Sequence, residues 1–240
     1  LTSITIPSNI TTVASTAFSG ITTLTTVTMN SDNVNFGTVF SGITSVTTVT
    51  FDYVGSILAN SCSGVTSLRN VIISNSITSI IANAFQNISV ITSITIGNSV
   101  TSIGDYAFDG CSGLTSIILP NSLTTIGTWV FLSCTGLTTI TIPQSVTSIG
   151  IYAFRLCSEL LNIVFTPTVQ VQSFEQGLFS ACSKLTSITI PSSVTTIGYG
   201  AFQASGLTSI SIPDTVTSFG DKVFENCSGL TSITFTSSST

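Results

Sequence analysis

Apolar and polar positions alternate in a pattern that returns along the whole chain. At 185–202 it reads LTSITIPSSVTTIGYGAF, and at 137–154 it reads LTTITIPQSVTSIGIYAF. The opening phrase starts at Leu1, Leu24, Val46, Leu68, Ile91, Leu114, Leu137, Leu160, Leu185, Leu207 and Leu230, with spacings of 22 or 23 residues and one of 25. A fixed period of this length marks a solenoid, here with ten units and the first strand of an eleventh.

Within a unit, L-T-S-I-T-I ends in the alternation of a short strand. Proline closes that strand in register at Pro7, Pro120, Pro143, Pro191 and Pro213, and one residue late at Pro167, because it brings no N–H to a ladder. S-V-T-S-I-G then predicts a second extended piece. Its glycine recurs at Gly37, Gly104, Gly127, Gly150, Gly198 and Gly220, and is expected to serve a turn of positive φ. A-F-x-x-C, which follows, predicts one or two turns of helix or 3₁₀. One such unit buries too few apolar side chains to offset the ordering of its backbone, so stability must come from stacking. The expected organisation is a single solenoid domain over 1–235, with a Ser/Thr tail or linker at 236–240. The chain opens in mid-phrase without methionine, as a mature fragment or a piece of a longer array would, and its two ends are expected to expose sheet edges.

Composition changes this picture in one respect. Only 5% of the residues are charged, against roughly 25% in ordinary globular domains, so serine and threonine must supply the polar surface. The basic residues are Arg69, Arg155, Lys184 and Lys222, and the net charge is −5, which leaves no footprint for nucleic acid or anionic lipid. No apolar run reaches the length of a membrane span.

Six cysteines invite a disulfide framework. Cys111, Cys134, Cys157, Cys182 and Cys227 stand three residues after the repeat phenylalanine, and Cys62 is assigned to the same place. Other units put Ile21, Ile43, Ile88 or Ser205 there, which marks a buried slot. Parallel neighbours about 4.8 Å apart suit a ladder of free thiols better than disulfides, which need converging β-carbons. Some disulfides and a metal site are the alternatives, the latter without any C-x-x-C to support it.

The unit L-T-S-I-T-I-P-x-S-V-T-S-I-G-x-x-A-F-x-x-C-S-G resembles the BspA-like subclass of leucine-rich repeats over practically the whole chain. The resemblance implies a curved right-handed leucine-rich-repeat solenoid, its parallel β-sheet on the concave face and short turns or helical pieces on the convex side. It also implies surface or secreted proteins connected with adhesion. The units at Leu24 and Val46 depart most: they lack the proline, and Ala59 stands where phenylalanine is expected.

Candidate chemistry is sparse. There is no histidine, no G-x-S-x-G, no P-loop and no dinucleotide fingerprint, so neither an enzyme nor a cofactor is expected. Asp105 and Asp109 read as a solvated acidic turn. Tyr106, Trp129 and Tyr152 stand two residues before the phenylalanine on successive units, a stripe suited to a sugar or a protein partner, or to simple packing between rungs. Outward hydroxyls recur at Ser3, Thr5, Thr26, Thr28, Thr48, Thr50, Ser93, Thr95, Thr139, Thr141, Ser187 and Thr189, interrupted by Asn70/Ile72, Ser116/Ile118 and Asn162/Val164. Threonine there suits an exposed strand; an ice-binding face is the alternative. Asn9, Asn87 and Asn226 begin sequons that matter in a secreted eukaryotic protein. The expected function is a non-enzymatic extracellular or cell-surface adhesion module for a protein or glycan. The alternative is a structural repeat protein that self-associates end to end, or side by side, into a filament or coat.

Overall fold

A computed structural model of the chain, described over residues 1–236, is a parallel β-solenoid of about ten turns. The tail expected at 236–240 lies outside the described residues except for Thr236, which ends the last strand. Each turn of the solenoid presents a first strand face, a second strand face and a turn face.

The first face is built from the L-T-S-I-T-I phrases. Ser3–Ile6, Thr26–Met29, Thr48–Phe51, Asn70–Ile73 and Ser93–Thr95 form one parallel sheet, in which Ser3, Thr26, Thr48, Asn70 and Ser93 stand in one column. Ser116–Ile117, Thr139–Ile142 and Asn162–Phe165 form a second sheet. Ser209–Pro213 pairs with Ser232–Thr236, and a bridge joins Thr189 to Ser211. β-branched residues dominate these strands, and alternate side chains reach the core.

The turn that ends each first strand has a direct cause. The carbonyls of Pro7, Pro120, Pro143, Pro191 and Pro213 accept from the N–H groups of Ile10, Leu123, Val146, Val194 and Val216 at 3.0–3.1 Å, closing β-turns. The second extended piece then makes a sheet of its own. Gly55–Ile57, Ile77–Ile80, Ser102–Ile103, Thr125–Ile126 and Ser148–Ile149 pair in parallel, and Ser173–Phe174, Thr196–Ile197 and Ser218–Phe219 do so further along.

The recurrent glycines correct the expectation of positive φ. None of Gly37, Gly104, Gly127, Gly150, Gly198 and Gly220 has it. Their function is close approach: an added β-carbon would lie 2.5 Å from the Ala82 nitrogen at Gly104 and 2.5 Å from the Thr128 nitrogen at Gly150. Rungs touch backbone to backbone here, and a side chain would force them apart.

The A-F-x-x-C segments are turns rather than helices, except for one short α-helix, Phe36–Phe40. Their phenylalanines form the spine of the core. Phe85, Phe108, Phe131, Phe154, Phe179, Phe202 and Phe224 stack in sequence with centroids 5.3–5.8 Å apart and planes within 16°.

Candidate functional site

Three surface features follow from this stacking. On the turn face the rungs are joined by a third ladder of backbone hydrogen bonds, which no strand pattern announces. Tyr106, Phe108 and Gly110 donate N–H to Thr128, Val130 and Leu132, at 2.9, 3.0 and 2.8 Å. The same triple bond joins the rungs of Trp129, Tyr152, Gly177 and Gly200 to their successors. It requires two residues per turn in the left-handed region, among them Asn83 and Asn87, Tyr106 and Gly110, and Trp129 and Ser133.

Glycine or asparagine is the ordinary occupant of such backbone; any other residue costs roughly 1–2 kcal/mol. Tyr106, Trp129 and Tyr152, at φ 57°, 55° and 56°, occupy it nonetheless. Their half-buried rings meet across rungs. Tyr106 and Trp129 have centroids 4.6 Å apart at 36°, and Trp129 stacks on Tyr152 at 5.9 Å and 7°. The run ends at Gly177, where any β-carbon would overlap the Tyr152 ring. The two faces of Trp129 are thus spent on Tyr106 and Tyr152. Gln176 Nε2 donates to the Tyr152 hydroxyl at 2.6 Å, and the Arg155 guanidinium lies 5.3 Å from the Tyr152 ring centroid. The sequence pattern did not single out Arg155; the available signal was its place immediately after Phe154, on the rung of Tyr152.

The second feature is the outward side of the first face. Ser3, Thr5, Ser93, Thr95, Thr139, Thr141, Ser187 and Thr189 are exposed, while Thr26, Thr28, Thr48 and Thr50 are half-buried. Ile72, Ile118 and Val164 interrupt the second column, with Ile118 84% exposed. Beside it lies a depression of about 280 Å³ bordered by Asn121, Thr141, Pro143 and Thr166. Another row of threonines has its hydroxyls engaged. Thr25, Thr138 and Thr231 donate to carbonyls of the preceding rung at 3.1 Å, and Thr124 does so on the second face at 3.0 Å.

The third feature is the cysteine column. Cys111, Cys134, Cys157, Cys182 and Cys227 point their thiols at the carbonyls of Phe85, Phe108, Phe131, Phe154 and Phe202, at 3.0–3.2 Å. All are free; Cys227 is half-buried and the others fully buried. Burial pushes the Cys111 and Cys182 thiols up to about 12, and those of Cys62, Cys134 and Cys157 well above their ordinary value. They are therefore protonated, poor nucleophiles at neutral pH.

Cys62 does not belong to this column. Val65 N bonds Cys62 O as Ile88 N bonds Phe85 O and Cys111 N bonds Phe108 O, so Cys62 holds the phenylalanine place and Val65 the cysteine place. Ala59 accordingly is not the missing phenylalanine. The unit carries one residue fewer between its opening Val46 and this turn than the unit of Leu68 and Phe85 does, and only the shared residue type suggests the cysteine place for Cys62.

The remaining candidates stand apart. Asp105 Oδ1 accepts from Thr128 N at 2.7 Å, and Asp109 Oδ2 from Gln86 Nε2 at 3.0 Å, so both carboxylates tie neighbouring rungs. Asn9 lies exposed in the turn after Pro7, whereas Asn87 and Asn226 are exposed residues of the left-handed turn backbone, where asparagine is favoured. Among the described residues no group of three or more His, Cys, Asp or Glu side chains is arranged to hold a metal, and no helix is long and apolar enough to cross a membrane.

The model of the BspA type leucine rich repeat region matches residues 1–97, 78–205 and 167–240. The chain belongs to the BspA type leucine-rich repeat family. No curated protein matches it significantly. Among solved structures, a leucine-rich repeat protein from Bacteroides ovatus is 27% identical with a TM-score of 0.60, over 80% of this chain and 64% of its own. The T. pallidum leucine-rich repeat protein is 26% identical with a TM-score of 0.58, over 86% and 78%. A leucine-rich cell surface protein from Faecalibacterium prausnitzii is 27% identical with a TM-score of 0.53, over 100% and 80%. The chain thus spans less than two thirds of the Bacteroides ovatus protein. As a BspA type repeat, it is a protein-interaction repeat module.

Proposed function

We propose that this BspA type solenoid is a non-enzymatic adhesion module, secreted or held at a cell surface, which presents an uncharged face to a protein or glycan. Residues 1–235 would act as one domain. The observation that carries the reading is the outward side of the first face: from Ser3 to Thr234 its two columns hold only Ser, Thr, Asn, Ile and Val. Such a surface makes hydrogen bonds and apolar contacts without the desolvation cost of buried charge. The name of the Faecalibacterium prausnitzii neighbour supports a surface location. The test is a screen of matrix proteins and glycans against the immobilised chain, repeated with Thr50→Lys and Thr141→Lys. Binding lost in these variants is expected; binding that both retain sinks this face as the adhesive one, and a defined reaction catalysed by the chain would overturn the non-enzymatic reading.

End-to-end assembly is a second reading with its own observation. Phe219 of the unit opening at Leu207 and Ile233 and Phe235 of the strand that follows are 43%, 43% and 73% exposed, and Leu1, just before the first strand, is 66% exposed. Stacking of one molecule's first rung on another's last would cover both and form an open, heterologous array. Light scattering over a concentration series checks it: growth of oligomers that Phe235→Glu abolishes is expected, and a concentration-independent monomer rules the assembly out.

A further inference from the structure

We infer that the turn-face patch of Tyr106, Trp129, Tyr152 and Arg155 docks an acidic segment of a protein partner, with Arg155 pairing a carboxylate and the aromatic rings covering an adjoining apolar side chain. The inference rests on the adhesion reading but assigns the contact to a different face of the solenoid.

Composition is the first support. The chain has one tryptophan, four tyrosines and two arginines, and this patch gathers the tryptophan, two of the tyrosines and one arginine. Those are the residue types that dominate the energetic centres of protein interfaces. Backbone is the second. The three aromatic residues sit in left-handed conformation where other rungs use Asn83, Gly177 and Gly200, so the aromatic side chains are kept at positions local preference disfavours.

Geometry then separates a protein from a sugar. A pyranose ring stacks on an open aromatic face, but Trp129 lies between Tyr106 and Tyr152, and Tyr152 is backed by Gly177, so only the far side of Tyr106 has no ring or glycine against it in these contacts. One face of Tyr106, the half-buried sides of the other rings and the exposed Arg155 guanidinium remain, which suits side chains of a polypeptide better than a row of stacked sugars. Charge sets the sign. The ion pairs among the described residues are Lys184–Glu159 and Lys222–Glu225, and Arg69 Nη1 donates to the Val90 carbonyl at 3.1 Å. Among the described residues Arg155 has the Tyr152 ring as its partner and no carboxylate at ion-pair distance, which leaves its exposed fork free to pair one from outside. Asp105 and Asp109, on the Tyr106 rung, accept from Thr128 N and Gln86 and keep their charge, but neither lies within ion-pair distance of Arg155. The chain's net charge of −5 opposes an acidic partner at a distance, an effect screened beyond about 8 Å at physiological salt.

The test selects random linear peptides, displayed on phage, against the intact chain, and titrates synthetic copies of the recovered peptides while following the emission of Trp129, the single tryptophan. Peptides with Asp or Glu beside an aromatic or aliphatic residue are expected, and binding should shift the emission. Arg155→Gln, and Asn or Gln in place of the peptide's acid, should each weaken binding at least about tenfold, with the melting temperature of the variant unchanged. Recovered peptides without acidic bias, failure to recover any, or an Arg155→Gln chain that binds as well as its parent overturns the inference. An emission shift produced by neutral oligosaccharides instead would assign the patch to glycans. If Thr141→Lys abolishes adhesion while Arg155→Gln preserves it, this inference fails and the adhesion reading survives.

Discussion

The first three units and those that follow from Leu68 obey the same sequence period but are joined differently. From Asn83 onward each turn is tied to the next by the third ladder, the phenylalanines stack without a break, and Cys or Ile fills the slot behind them except at Ser205. Between the turns of residues 14–21 and 36–43 no backbone hydrogen bond forms on that face, and between Gly37 and Asn83 two remain: Gly37 N to Ser61 O and Asn60 N to Asn83 O. The helix Phe36–Phe40, capped by Asn35, replaces a turn; the register slips between Gly55 and Ser56; and Cys62 interrupts the aromatic spine. A polar depression of about 620 Å³ opens there, bordered by Ser15, Asn35, Thr38, Asn60 and Ser63. Shared period makes a solenoid, whereas a shared turn conformation makes its rungs lock.

Raising the pH should break the locked region most severely. Below about pH 9 the thiols are protonated in both folded and unfolded chains and contribute no pH dependence. Between there and about 12, the folded values of Cys111 and Cys182, the unfolded chain loses protons that the folded one keeps. Stability should therefore fall by about 1.4 kcal/mol per pH unit for each buried thiol. Urea midpoints from pH 8 to 11 measure the slope, and Cys157→Ile, which installs the residue found at Ile21 and Ile43, should remove one thiol's share. A flat profile would show the thiols to be accessible to water.

Truncating the spine comes next. Phe131→Ala, fully buried between Phe108 and Phe154, should cost about 3–5 kcal/mol, while Phe18→Ala, half-buried and stacked on Phe40 alone, should cost less than half as much. Equal shifts of the two urea midpoints would erase the distinction between the regions. Glycines sharpen it further. Gly150→Ala presses on the Thr128 nitrogen and should cost about 2–3 kcal/mol, whereas Gly42→Ala meets open space and carries only the left-handed penalty, about 1–2 kcal/mol. The smallest effect runs the other way: Cys62→Phe, beside a cavity of about 110 Å³, should extend the spine and raise stability by about 1 kcal/mol. A loss on thermal melting would mean that the irregular units have no room for the ring.

Much of this was legible because period and residue type act locally. Proline positions marked the β-turns, and the alternation in TSITI marked which threonines face outward. The cysteines' buried slot was legible from Ile88 and Ile43, since a place that accepts isoleucine accepts little water. The role of the glycines was not, because a glycine needed for positive φ and one needed for backbone contact read alike until the neighbouring rung is present. Cys62 was misplaced because residue type alone matches it to the other cysteines, whereas the hydrogen bond from Val65 fixes its place in the turn.

By itself, then, the sequence determined a stacked repeat with a charge-poor surface, since a phrase repeated every 22 or 23 residues has no other way to bury its apolar positions. Tertiary structure decided where the rungs touch, which hydroxyls are engaged and how the three aromatic rings share their faces. Those outcomes depend on distances between residues a full turn apart, which only the completed stack sets.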